Sequence, residues 1–162
     1  MTKQNPPFHD GPYLVCAVLC ERVLQENDGV KTAVRMVDRI TRTVSQPDVS
    51  LEMEPFEFTI SLLVRFKAGI ARGGMQFYVR IEKPNGESQA SPRQNLFFEG
   101  DADRGVDVII PMALKLEITG LYWLDIMLQE VRVTRVPFRV IYNPISRLQR
   151  PADANPELPP ES

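Results

Sequence analysis

The stretch Phe56-Glu57-Phe58-Thr59-Ile60-Ser61-Leu62-Leu63-Val64-Arg65-Phe66-Lys67 carries an apolar residue at every even position and, Leu63 apart, a polar residue between. A period of two is that of a strand with one face in a core and the other towards solvent. The same period returns in Met75, Phe77, Val79 and Ile81, and again in Val106, Val108 and Ile110. Antiparallel strands around one apolar layer are the expected architecture.

Working outward, Tyr13 to Leu24 is apolar on both faces and reads as a central strand. Asn27-Asp28-Gly29 is a turn signal, and Lys31 to Thr43, rich in β-branched residues, reads as the second strand of a hairpin. Pro84-Asn85-Gly86 closes the strand that begins at Met75. Leu96, Phe97 and Phe98 anchor a short strand. Gly105 to Met112 follows, and Pro111 cannot donate to a ladder, so it should face an edge or end that strand. Leu121 to Leu128 and Thr134 to Ile141 complete the set, with a tight turn at Glu130-Val131. About eight short strands separated by turns read as an all-β fold, a β-sandwich.

Three segments are expected: a disordered leader over 1–12, the β-sandwich over 13–142, and a Pro-rich acidic disordered tail over 143–162. The tail, with Pro156, Pro159 and Pro160, could serve as an extended peptide for a partner's groove. A sandwich of roughly 130 residues buries enough surface to fold without metal or disulfides. Twenty-one acidic and 19 basic residues leave a net charge of −2, with no bias towards nucleic acid or acidic membranes. No apolar run approaches the roughly 20 residues of a membrane span. Ala17-Val18-Leu19-Cys20 lacks the small residue that a lipoprotein cleavage site needs at Leu19. A cytoplasmic protein is expected.

Chemistry-bearing patterns are sparse. Cys16 and Cys20 on one strand would lie on the order of 13 Å apart, beyond disulfide reach, and the single histidine, His9, sits in the leader. A thiol nucleophile with an imidazole partner is not expected, and neither is a Ser-His-Asp arrangement. Gly73-Gly74 lacks the Lys-Ser/Thr of a phosphate loop. Asp101 and Asp103, in a loop, could contribute to a calcium site if further carboxylates joined them. Arg65, Tyr78 and Arg80 could share the outer face of adjacent strands and bind RNA or an anionic ligand. Alternatively, Arg65 and Arg80 pair with Glu57 and Glu82 across the strands. Trp123 points away from the Tyr122, Leu124, Ile126 and Leu128 face. It either packs locally or forms a binding hot spot.

Leu19-Cys20-Glu21, Asp28-Gly29-Val30-Lys31 and Met36-Val37-Asp38-Arg39-Ile40 resemble the opening hairpin of a family of small bacterial cytosolic proteins classed only as a domain of unknown function. Gly120-Leu121-Tyr122-Trp123-Leu124-Asp125-Ile126 and Val136-Pro137-Phe138-Arg139-Val140 resemble its closing hairpin, so the resemblance spans residues 13 to 142. It departs at Gln129-Glu130-Val131-Arg132, where an Asp-Gly turn is more usual. The resemblance implies an immunoglobulin-like or C2-like sandwich with no assigned activity.

The functional expectation is a non-enzymatic protein-interaction module of a bacterial cytosol that binds through a sheet edge or loop end. Trp123, Arg132, Arg135 and Arg139 are its favoured contacts. The alternative is a small-ligand or calcium-binding module that uses the Asp101/Asp103 loop. No cofactor is expected, and homodimerisation by sheet edges is compatible with either reading.

Overall fold

The computed structural model describes residues 8–146. Ten strands run β1 (Tyr13–Gln25), β2 (Lys31–Met36), β3 (Arg39–Gln46), β4 (Phe56–Lys67), β5 (Gly73–Glu82), β6 (Ser88–Ala90), β7 (Gln94–Phe98), β8 (Gly105–Leu116), β9 (Gly120–Leu128) and β10 (Val131–Ser146). They form two sheets. The first is antiparallel with order β2-β1-β4-β8; the second has order β3-β10-β9-β5-β6, with β7 also paired to β5. The second sheet is mixed, because β3 joins β10 in parallel. No helix among the described residues is long and apolar enough to cross a membrane.

The alternation in β4 sets the core. Ile60, Leu62, Val64 and Phe66 are completely buried, and the Phe66 ring meets Phe77 of β5 and Phe98 of β7 edge to face at 6.2 and 6.3 Å. Residues of both sheets thus belong to one apolar cluster. Each such aromatic pair adds about 0.5–1.5 kcal/mol beyond the area it buries. Pro111 lies within β8, whose only partner in the sheet is β4, so its missing donor is tolerated and the strand runs on to Leu116.

Two elements depart from the sequence reading. The single strand expected over Lys31 to Thr43 is two strands in different sheets. Arg35 adopts φ 51° and the Val37 amide donates to the Leu19 carbonyl, after which the chain leaves β1 and places Ile40 in the core beside β10. In β1, a bulge between Leu14 and Cys16 shifts the register, so Leu14 joins Ala17 and Leu19 on the core side and Val15 is left exposed.

Turn and strand structure extends beyond 13–142 at both ends. Residues 8–12 form a turn in which the Asp10 carbonyl accepts from the Ile70 amide and Phe8 packs on the core. At the other end β10 reaches Ser146. Residues 1–7 and 147–162, read as leader and tail, lie outside the described residues.

Candidate functional site

Six of the residues singled out in sequence, Tyr78, Arg80, Trp123, Arg132, Arg135 and Arg139, converge on the outer face of the second sheet. Register places Arg135 of β10, Asp125 of β9 and Arg80 of β5 in one row. The next row is Pro137, Trp123 and Glu82, and the row on the other side brings Arg132, Met127 and Tyr78 together. Strand alternation explains why these side chains point away from the core, since Tyr122, Leu124 and Ile126 between them are buried inward.

Asp125 is the centre of this face and is fully buried although it belongs to the outer surface. Arg135 donates from Nε at 2.6 Å and Arg80 from Nη2 at 2.6 Å, while Arg132 stands 3.9 Å away. Burial alone would push the Asp125 carboxyl up, but the hydrogen bonds from Arg135 and Arg80 outweigh it and hold the group below the usual carboxylate range. Arg135 also donates to Glu82 at 2.8 Å and lies over the Trp123 ring at 4.9 Å. Its guanidinium therefore ties two carboxylates and an indole into one unit, the kind of planar contact that lysine cannot reproduce.

A second cluster adjoins it. The Tyr78 hydroxyl donates to Glu130 at 3.0 Å, Arg93 lies over the Tyr78 ring at 4.6 Å, and Arg93 also bonds to Glu130. Burial, followed by the bond to Glu130, raises the Tyr78 hydroxyl above its ordinary value. Hydrogen bonds from Arg93 and Tyr78 lower Glu130. Every ionisable group in these two clusters whose ionisation is shifted is shifted towards the form it already holds at neutral pH.

Arg139 lies on the same face, paired in register with Leu121 on one side and with Arg39 of β3 on the other. Both arginines are exposed, and among the described residues neither has a carboxylate within salt-bridge distance. Arg39 was not anticipated in sequence. Only the parallel return of β3 brings it beside Arg139, although the two are 100 positions apart.

Other expectations resolve differently. Arg65 does not share a face with Tyr78 and Arg80, because β4 and β5 belong to different sheets. Its register partner is Asp107, which it grips through two bonds of 2.6 and 2.8 Å, and that pairing lowers the Asp107 carboxyl. Glu57 faces Lys115 instead, and Arg80 pairs with Asp125 rather than with Glu82. β3 pairs β10 only over Arg139 to Ser146, so Arg139 lies between two strands, whereas among the described residues the stretch with Arg132 and Arg135 is paired on one side alone, by β9. Arg139 therefore departs from the edge strand expected in sequence, while Arg132 and Arg135 stand on the sheet face beside an open edge.

The Asp101/Asp103 loop is tied up locally. Arg104 reaches Asp101 at 3.1 Å and also bonds Glu99, while the Asp103 carbonyl accepts from Lys67 at 2.6 Å. Among the described residues no group of three or more metal-type ligands occurs. Cys16 and Cys20 are both free, and burial raises the Cys20 thiol.

No protein-family model matches the chain, and no curated protein does. Among solved structures, it is similar to the Pseudomonas fluorescens alkylpurine DNA glycosylase AlkC bound to DNA containing an abasic site analog, with 9% sequence identity and a TM-score of 0.42. The likeness covers 61% of this chain and 27% of that one, and at this score it carries no argument.

Proposed function

We propose that the chain is a non-enzymatic protein-interaction module of the bacterial cytosol. On this reading it is an immunoglobulin-like or C2-like sandwich that recognises an acidic segment of a partner protein on the outer face of its second sheet. The observation that carries the reading is the exposed pair Arg39 and Arg139, side by side without a carboxylate among the described residues, next to the row that holds Trp123. Like charges directly opposite one another destabilise a sheet, and an acidic partner turns that cost into complementarity. Trp123 is partly exposed and held by Arg135, which gives the surface a rigid aromatic anchor of the kind enriched at hot spots.

A non-enzymatic role fits the ionisation of the site. General acid–base work needs a group poised near the operating pH, whereas Asp125, Glu130 and Tyr78 are all displaced away from neutrality.

The test is binding of an arrayed set of acidic peptides, followed by titration of the best of them in solution. Arg39→Glu combined with Arg139→Glu should weaken binding at least tenfold and leave the melting temperature unchanged, because both side chains are exposed. Trp123→Ala should weaken the same peptide. Full binding by the charge-reversed variant would overturn the reading.

A further inference from the structure

A cleft of about 710 Å³ opens between β5 with its short partner β6 and the edge strand β8. It exists because β6 has three residues and leaves the inner face of β8 partly uncovered. Ile110 and Met112 on that face are only partly buried, whereas their register partners Leu62 and Ile60 are completely so. Ile81 of β5 is half-buried on the opposite wall. Tyr122 and Phe138 meet the cleft from below, their rings stacked at 5.1 Å and 20° apart in plane.

The floor of the cleft, formed by Ile81, Ile110, Met112, Leu114, Tyr122 and Phe138, is hydrocarbon, and the polar Ser88, Gln89 and Ser91 line its β6 side. The Tyr122 hydroxyl, the one polar side-chain group of that stacked pair, donates to the Ile118 carbonyl at 2.8 Å. Among the described residues no buried side-chain nitrogen or oxygen lacks a hydrogen bond. A sugar, nucleotide or peptide backbone placed on that floor would lose its hydrogen bonds to water without replacement. An alkyl chain loses none, and the volume falls within the range of small-molecule sites.

Charge is confined to the mouth. Lys83 is held between Glu117 at 2.7 Å and Glu87 at 3.2 Å, and Lys115 reaches Glu117 at 3.3 Å. Glu87 is the weaker partner of Lys83 and is 66% exposed on its turn. A ligand carboxylate can take its place at the ammonium and keep the mouth neutral.

We infer that this cleft binds a single straight-chain alkyl carboxylate, its chain between Ile81 and Met112 and its head on Lys83 in place of Glu87. The site is separate from the arginine-rich face and independent of its function.

The experiment is titration of the full chain with hexanoate, octanoate and decanoate, read by the labelled methyl resonances of its methionines. The Met112 methyl should shift and saturate while those of Met36 and Met127 stay in place. Affinity should rise about fourfold per added methylene. Glu87→Gln should tighten decanoate binding, and Lys83→Met weaken it, by about three- to fivefold, with decan-1-ol indifferent to both. Ala90→Trp, which fills the mouth from an exposed position, should abolish the shift. An unmoved Met112 methyl, or parallel movement of all three methyls, would overturn the inference. So would undiminished decanoate binding in Ala90→Trp, or decanoate affinity unchanged in both Glu87→Gln and Lys83→Met.

Discussion

Arg135 and Asp125 are opposite residues in the β9–β10 ladder and are joined by two bonds along one guanidinium edge, from Nε at 2.6 Å and Nη2 at 3.2 Å. Because Asp125 is depressed below its ordinary value of 3.8, its contribution is fully present above that value. It disappears as pH falls through the lower folded value. Asp107, Glu117 and Glu130 are shifted in the same direction. Stability should therefore be level above about pH 5 and fall below about pH 4. Asp125→Asn should lose about 2–3 kcal/mol at pH 7. That is below the usual 3–5 for a broken buried pair, because the Arg80 and Arg135 side chains keep 40% and 28% of their exposure and water can replace part of the bond. Urea denaturation at pH 7 and at pH 3 checks this. The gap between native and variant chains must narrow in acid.

The β9–β10 turn carries a second expected outcome. Gln129 and Glu130 both sit at positive φ, 48° and 62°, between the paired Leu128 and Val131. This two-residue hairpin geometry favours Asn-Gly, and each L residue there costs about 1–2 kcal/mol. Gln129 contributes only a backbone bond, from its amide to the Gln76 carbonyl at 2.8 Å, so Gln129→Gly should stabilise by about 0.5–1 kcal/mol. Glu130→Gly relieves the same strain but strands the Tyr78 hydroxyl and Arg93, and should give no gain. Equal gains in denaturation midpoints would show that the Glu130 carboxylate contributes nothing.

The same turn shows what could be read in advance. Its position was legible to within one residue from the flanking alternation, since Gln129-Glu130 turns where Glu130-Val131 was expected, and its departure from an Asp-Gly sequence was visible. That Glu130 is tied to Tyr78, 52 positions earlier, was not. The core strand β4 was legible because local period alone dictates its burial. Asp125 was not singled out, although it is a lone acid within an apolar strand, because its partners come from β5 and β10 and depend on strand order. Strand order is also what misplaced Arg65 and hid Arg39. A period of two says which side chains share a face of their own strand, and nothing about which strand lies next to it.

Phe66 should be among the costliest positions to truncate. Its ring is fully buried and touches both Phe77 and Phe98 across the inter-sheet space. Phe66→Ala removes that link and leaves a cavity, an expected loss of about 3–5 kcal/mol. Phe97, next in chain to Phe98 but 64% exposed, should cost less than about 0.5 kcal/mol when truncated. Thermal unfolding of the two variants side by side makes the comparison, and similar losses would contradict the core described here.

Gly69 should be intolerant of a methyl group for a reason local to the chain's beginning. It holds φ +56°, and a Cβ there would stand 2.3 Å from the Asp10 carbonyl oxygen and 2.8 Å from the Tyr13 ring. The Asp10 contact is to backbone, so it cannot be relieved by a rotamer change. The segment 8–12 must move instead, and with it the bond from the Ile70 amide to Asp10 at 2.9 Å. Gly69→Ala should cost about 1–3 kcal/mol, and amide exchange at Ile70 should quicken more than at the Val79 amide, which is bonded to Ser91 at 3.0 Å in the body of the second sheet. Uniform acceleration at both amides would mean that the methyl group destabilises the whole domain without releasing residues 8–12, and that this segment is not held chiefly by its close approach to Gly69.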